Sequence, residues 1–160
     1  MTKTNAVRIL ESTARAFRLA DYPVDEEELS APAVAGKIGL PAEQVFKTLA
    51  VRGDRTGPFL VCIPGDAELS LKKAAASTGN KYVEMLPLKE LEPLTGYIRG
   101  GCSPVGTRKR LPVFLDETAQ LFPEISVSAG IRGLQMILSP QDLLAVVRLG
   151  NLSAEWADLT

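Results

Sequence analysis

Apolar residues recur along this chain in two periods. Val7, Leu10, Ala14 and Phe17 fall at helical spacing and predict a helix over 4–18. Residues 17–24 then read as a strand that ends at Pro23. Ser30 is placed to cap a short helix that runs to Gly39, with Pro32 in its first turn. A short turn at 41–44 follows, then strands over 45–52 and 59–64 joined by Gly53-Asp54-Arg55-Thr56-Gly57. Ser70 caps a helix over 71–78 that Gly79 ends. A strand at 81–85 and a helix at 88–94 lead into a glycine-rich loop after Tyr97 and Ile98. Strands at 112–115, 125–128 and 134–138 precede a helix over 140–147 capped by Ser139. The tail, 150–160, reads as loosely held, with Trp156 as the residue that docks it. Strands and short helices alternate irregularly, which predicts a mixed sheet flanked by helices and not a doubly wound parallel one. No repeat or linker divides the chain, so a single α/β domain over 1–160 is expected, with its core at about 5–149.

Composition narrows the chemistry. Hydrophobic residues make up 46% and charged residues 23% of 160, ordinary for a globular domain with a real core. No run approaches the roughly 18 apolar residues of a membrane helix, and Arg8, Glu11 and Arg15 interrupt any secretory signal. A cytoplasmic location and no membrane partner are expected. Histidine is absent, so no Ser-His or Cys-His pair can form. The two cysteines, Cys62 and Cys102, are too few for a common structural zinc site and are read as reduced thiols. No metal is expected. There is no Gly-x-Gly-x-x-Gly after the first strand and no Walker loop, so no nucleotide cofactor is expected. A net charge of −1 is unlike a general nucleic-acid binder, which excludes DNA as a partner and leaves a nucleic acid only a small footprint.

Three segments carry candidate chemistry. Lys47 shares a face of its strand with Val45, Leu49 and Val51, so it either opens onto a pocket or sits at a solvated strand end. Gly100-Gly101-Cys102-Ser103-Pro104-Val105-Gly106 can bring successive amides to a carbonyl oxygen, or it can be a structural turn. Cys102 has no base to activate it and reads more naturally as a small hydrophobe. The basic run Arg108-Lys109-Arg110 suits phosphates or a solvated face. In Ser126-Val127-Ser128-Ala129-Gly130-Ile131-Arg132-Gly133-Leu134, glycines bracket a turn that presents Arg132, and Gln135 can point into the same cavity. The acidic run Asp25-Glu26-Glu27-Glu28 reads as a solvated loop.

These segments occur in an order and spacing that resemble a known family. Val45-Phe46-Lys47-Thr48-Leu49, Leu71-Lys72-Lys73, Gly96 to Gly106, Lys109-Arg110-Leu111-Pro112 and Ser128 to Leu134 together are similar to the YbaK-type aminoacyl-tRNA deacylases, relatives of the editing domain of bacterial prolyl-tRNA synthetase. The resemblance runs from about residue 5 to about 149. It implies a mixed, barrel-like sheet and hydrolysis of the ester joining an amino acid to the 3′ end of tRNA, with Cys-tRNA(Pro) as the substrate of this branch. The substrate's own thiol then attacks its ester, which needs no histidine. The resemblance places the family lysine at Lys47 and the aminoacyl-binding loop at Gly100, Gly101, Cys102, Ser103 and Pro104. It puts the aromatic residue at Tyr22 and further contacts at Ser128, Gly130 and Arg132. Gln135 stands where the branch usually has an acidic residue, which removes a charge and leaves alanine, serine or a non-protein amino acid as alternative cargo. The expected partners are the aminoacyl-tRNA acceptor end and prolyl-tRNA synthetase. A non-catalytic module that binds the acceptor end or a synthetase is the reading of a different class.

Overall fold

The computed structural model describes residues 3–160; what the sequence suggests for the first two residues lies outside them. Thirteen main elements follow in chain order: α1 (Asn5–Ser12), β1 (Arg18–Asp21), α2 (Ala31–Ile38), β2 (Phe46–Gly53), β3 (Gly57–Pro64), α3 (Leu71–Thr78), β4 (Val83–Met85), α4 (Leu91–Thr95), β5 (Pro112–Asp116), β6 (Ile125–Ser128), β7 (Leu134–Leu138), α5 (Pro140–Gly150) and β8 (Ser153–Ala157). Short 3-10 turns stand at Ala42–Gln44, Leu88–Glu90 and Glu117–Leu121. The side chains of Ser30, Ser70 and Ser139 accept from the amide three residues on, and Gly39 and Gly79 end their helices in the left-handed conformation.

Two sheets enclose the core. One is antiparallel, in the order β1-β7-β6; the other is mixed, in the order β4-β2-β3-β5-β8. A single parallel bridge, Val45 to Ser126, joins them. The facing sides of both sheets bury Phe46, Leu60, Leu115, Ile125, Val127 and Met136 together with α1 and α5. The far side of the larger sheet packs Val51, Phe59, Val61 and Ile63 under α3. β3 is therefore apolar on both faces, which explains the unbroken run Phe59-Leu60-Val61-Cys62-Ile63. The assembly is barrel-like but is not a continuously paired barrel. β4 pairs with β2 only at Val51, Arg52 and Gly53, and the bridge to β6 lies at Val45. Between them the β2 edge stays open.

The structure corrects two expectations. α1 stops at Ser12, well short of 18, because Ala14 adopts φ 57 and turns the chain out of the helix toward β1. The tail is not loosely held. β8 adds in parallel to β5, Leu159 is fully buried, and its amide donates to Asp116 Oδ1 at 2.9 Å.

Asn151, at the start of that tail, is the polar hub of this region. It is 3% exposed. Its Oδ1 accepts from Leu111 N at 3.1 Å, and its Nδ2 donates to Pro104 O at 3.3 Å and Val147 O at 3.2 Å. Asn151→Ala leaves these buried groups unpaired and is expected to cost about 2 to 4 kcal/mol. Urea denaturation measures this; a loss below about 0.5 kcal/mol contradicts the assignment.

Candidate active site

The open edge of β2 forms the wall of a cleft of about 850 Å³. Leu86 N donates to Ala50 O at 3.0 Å, so residue 50 turns its main chain away from β3. Strand alternation then turns the N–H and C=O of Thr48 the same way, into the cleft. The remaining walls come from distant parts of the chain. Glu26, Glu27, Glu28 and Leu29 contribute to the lining, as do Met85, Leu86, Leu88 and Leu91. Arg99, Gly100 and Cys102 from the glycine-rich loop complete it with Ser128 and Gln135 from β6 and β7.

Lys47 is the second residue of β2 and lines this cleft, half-buried. Its Nζ donates to Gly65 O at 3.3 Å, which leaves two of its three protons for a ligand. Gly65 has no room for a side chain: a Cβ there would lie 2.6 Å from Ala31 Cβ and 2.7 Å from Val45 O. That close approach positions the carbonyl that steadies the lysine.

The glycine-rich loop is braced from outside and keeps donors free inside. Tyr97 Oη donates to Val105 O at 2.5 Å, Gly101 N to Ile98 O at 2.9 Å and Val105 N to Ser103 Oγ at 3.2 Å. Asn151 holds Pro104 O from behind. Among the described residues, the amides of Gly100, Cys102 and Ser103 have no protein acceptor. Gly100 and Cys102 line the cleft, so their amides are suited to an oxyanion or a carbonyl oxygen.

The face of β6 and β7 turned away from the core carries Ser126, Ser128 and Gln135. Ser126 Oγ donates to Gln135 Oε1 at 2.7 Å, in a pair almost wholly buried. This orients the Gln135 side chain, whose Nε2 makes no protein hydrogen bond among the described residues. The wall there is polar and uncharged.

The structure thus brings together Lys47, Gly100, Cys102, Ser128 and Gln135. It sets the other sequence candidates behind the wall. Ser103 is fully buried, with its hydroxyl used on Val105 N. Pro104 turns its carbonyl to Asn151. Gly101 packs on the backbone of Ile131 and Arg132, where a Cβ would approach to 3.1 Å. Gly130 is packed against the Tyr97 ring. Arg132 Nε donates to Arg99 O at 2.9 Å, so this side chain clamps the loop from outside. Tyr22 packs on α2, with Lys37 Nζ 5.8 Å from its ring centroid. Sequence reasoning missed Thr48, Leu86, Arg99 and the acidic wall. The run of four carboxylates was the signal for that wall, and only the fold shows that it borders a cavity.

Burial pushes the Cys102 thiol up to about 12, with Cys62 adding to the shift and a hydrogen bond with Thr95 opposing it. The thiol is held in its protonated form, which is a poor nucleophile. Cys102 therefore lines the cleft as an apolar, protonated wall and not as a nucleophile. Among the described residues there is no group of three or more His, Cys, Asp or Glu that could hold a metal. No helix among them is long and apolar enough to cross a membrane.

The cleft thus combines one lysine with main-chain amides that have no protein acceptor, an arrangement chemically suited to a carbonyl or ester oxygen. The family model of the aminoacyl-tRNA editing domain matches residues 25–146, and the chain belongs to that family. It is 45% identical over 158 residues, 99% of this chain and 93% of the relative, to an Enterococcus faecalis (strain ATCC 700802 / V583) protein named "Putative Cys-tRNA(Pro)/Cys-tRNA(Cys) deacylase EbsC". It is 31% identical to the uncharacterized protein YwhH of Bacillus subtilis (strain 168), over 85% of each chain. A solved structure described as "a putative trans-editing enzyme for prolyl tRNA synthetase" superposes with a TM-score of 0.81 at 26% identity and covers 99% of both chains.

Cys62, Cys102 and Tyr97 all hold their protons more tightly than their ordinary values of 9.0, 9.0 and 10.0, and burial pushes each up to about 12. The unfolded chain loses these protons first, so stability is full below about pH 9 and falls as pH rises toward 12. Thermal unfolding followed across that window should show Tm declining from about pH 9 upward. A Tm that stays flat through it contradicts the buried, protonated assignment.

Proposed function

We propose that this protein is a trans-acting editing deacylase that cleaves the ester of a misacylated tRNA, with Cys-tRNA(Pro) as the leading substrate. The observation that carries this reading is the convergence of the Lys47 ammonium and the free amides of Gly100 and Cys102 on one cleft. An aminoacyl ester needs a cation near its terminal ribose oxygens and donors at its carbonyl oxygen. The family membership and the deacylase and trans-editing descriptions of its relatives support the same reaction.

With a cysteinyl ester the chemistry proceeds without a protein nucleophile. The substrate thiol loses its proton and its sulfur attacks the ester carbonyl carbon. The amides of Gly100 and Cys102 hold the developing oxyanion, and the bond to the ribose oxygen breaks. That oxygen leaves on the tRNA and takes up a proton, which frees a cyclic thioester for water to open. Lys47 holds the terminal nucleotide or the reacting group beside the amides. Gln135 makes the side-chain wall neutral, which favours a small uncharged cargo. Alanine, serine or a non-protein amino acid is the alternative cargo, and those esters need water as the nucleophile. Prolyl-tRNA synthetase is the partner that would supply the acceptor-end affinity a net charge of −1 does not.

Hydrolysis measured across a panel of misacylated tRNAs tests the cargo. Cys-tRNA(Pro) should be cleaved fastest, Lys47→Ala should lose at least about 10²-fold in rate, and Cys102→Ala should retain most activity. Full activity in Lys47→Ala removes the central assignment. Tight acceptor-end binding without any ester cleavage supports a binding module instead.

A further inference from the structure

The cleft that holds an ester must also let a polyanion reach it, and its walls differ sharply in charge. Asp25 to Glu28 are four consecutive exposed carboxylates, and Glu26, Glu27 and Glu28 stand on the rim. Phosphates that pass within a Debye length of about 8 Å of that rim are repelled. A separate segment of the lining is apolar, with Met85 48% and Leu88 62% exposed. Leu86, in that segment, also lines a second groove of about 380 Å³, bounded by Arg52, Pro58, Lys89, Glu90, Leu94 and Lys109. The two cavities therefore adjoin across Leu86.

The second groove is cationic by construction. Arg52 Nη2 donates to Glu90 Oε1 at 2.7 Å, so these two charges are mutually satisfied. Among the described residues neither Lys89 nor Lys109 forms an ion pair. Lys89 sits in the 3-10 turn that begins the apolar wall. Lys109 is held beside α4 by main-chain bonds, Lys109 N to Leu94 O at 3.3 Å and Arg108 N to Thr95 O at 2.9 Å. The basic run is thereby sorted. Arg110 donates to Asn151 O at 2.9 Å and Arg108 lies against Gly96, which leaves Lys109 as its groove-facing member.

We infer that this groove receives the sugar-phosphate backbone of the acceptor strand just upstream of the terminal nucleotide, with Lys89 and Lys109 as its phosphate contacts. The inference rests on the deacylase reading and adds a direction of approach to it: over Leu86 and Leu88, away from the acidic rim. It also explains how a chain of net charge −1 engages RNA, through two local cations and not through a basic surface.

The test uses the full chain, a Lys89→Ala/Lys109→Ala double variant and a Lys3→Ala/Lys73→Ala double variant as a charge-matched control, since Lys3 pairs with Glu11 and Lys73 with Asp158, both outside the groove. Binding of an acceptor-stem RNA that carries no aminoacyl group is followed against salt. Hydrolysis is followed on a misacylated tRNA and on an aminoacyl ester of adenosine alone. The Lys89→Ala/Lys109→Ala variant should lower the slope of log affinity against log salt by about 2 and raise KM for the tRNA several-fold. It should leave cleavage of the adenosine ester unchanged, and the control should match the parent throughout. An unchanged salt slope overturns the groove assignment, including the case where the groove serves an acidic protein segment. If the parent cleaves neither ester, the deacylase reading fails, while the binding measurement still reports on the groove.

Discussion

The strand-pairing gap on β2 is the constraint from which the site follows. β4 satisfies the edge of β2 only from Val51 onward, and β6 touches it at Val45. Had β4 run on along β2, or β6 extended the pairing begun at Val45, a strand would occupy the edge that now lines the cleft. Because neither does, a main chain that is otherwise fully paired turns the amide and carbonyl of Thr48 toward open space, with Lys47 beside them. A buried edge without partners is costly unless water or a ligand fills it. Here the edge lines an open cleft, where the partly exposed Lys47 and Thr48 can meet water or a ligand, and apolar clusters pack on either side of the larger sheet.

The glycine-rich loop is held at three points and leaves the amides of Gly100 and Cys102, which line the cleft, without a protein acceptor. Tyr97, Arg132 and Asn151 hold it at three separate points, all on the side away from the cleft. Donors fixed in this way need little rearrangement when negative charge develops on a bound oxygen, which is the property that electrostatic catalysis requires. The proposed reaction accordingly does without histidine. In it, a cation, fixed dipoles and a substrate that carries its own nucleophile take the place of an acid-base pair. The bracing also explains why the C-terminal segment matters: Asn151 and β8 are part of the loop's support.

The local elements were legible in the sequence because their causes are local. Serine caps and terminal glycines mark α2 and α3 to within a residue, and Ser139 marks the start of α5. The strand alternation around Lys47 marked a lone cation among apolar residues. What depends on distant pairing was hidden. β8 joins β5 from about forty residues away, with no periodic signal in Ser153 to Ala157 strong enough to mark it. In the loop, the glycine pattern showed that amides can approach a ligand but not which side faces it. Ser103 and Arg132, the obvious polar members, turn out to serve the loop's own bracing.

The central claim is that Lys47 and the amides of Gly100 and Cys102 grip the reacting ester together. A non-hydrolysable amide analogue of the 3′-aminoacyl adenosine, titrated into isotope-labelled protein and followed by amide NMR, addresses it most directly. The account predicts that the Gly100, Cys102 and Thr48 amide resonances shift with one common affinity, and that Lys47→Ala weakens that affinity. Saturable binding that leaves these three amides unmoved would contradict it.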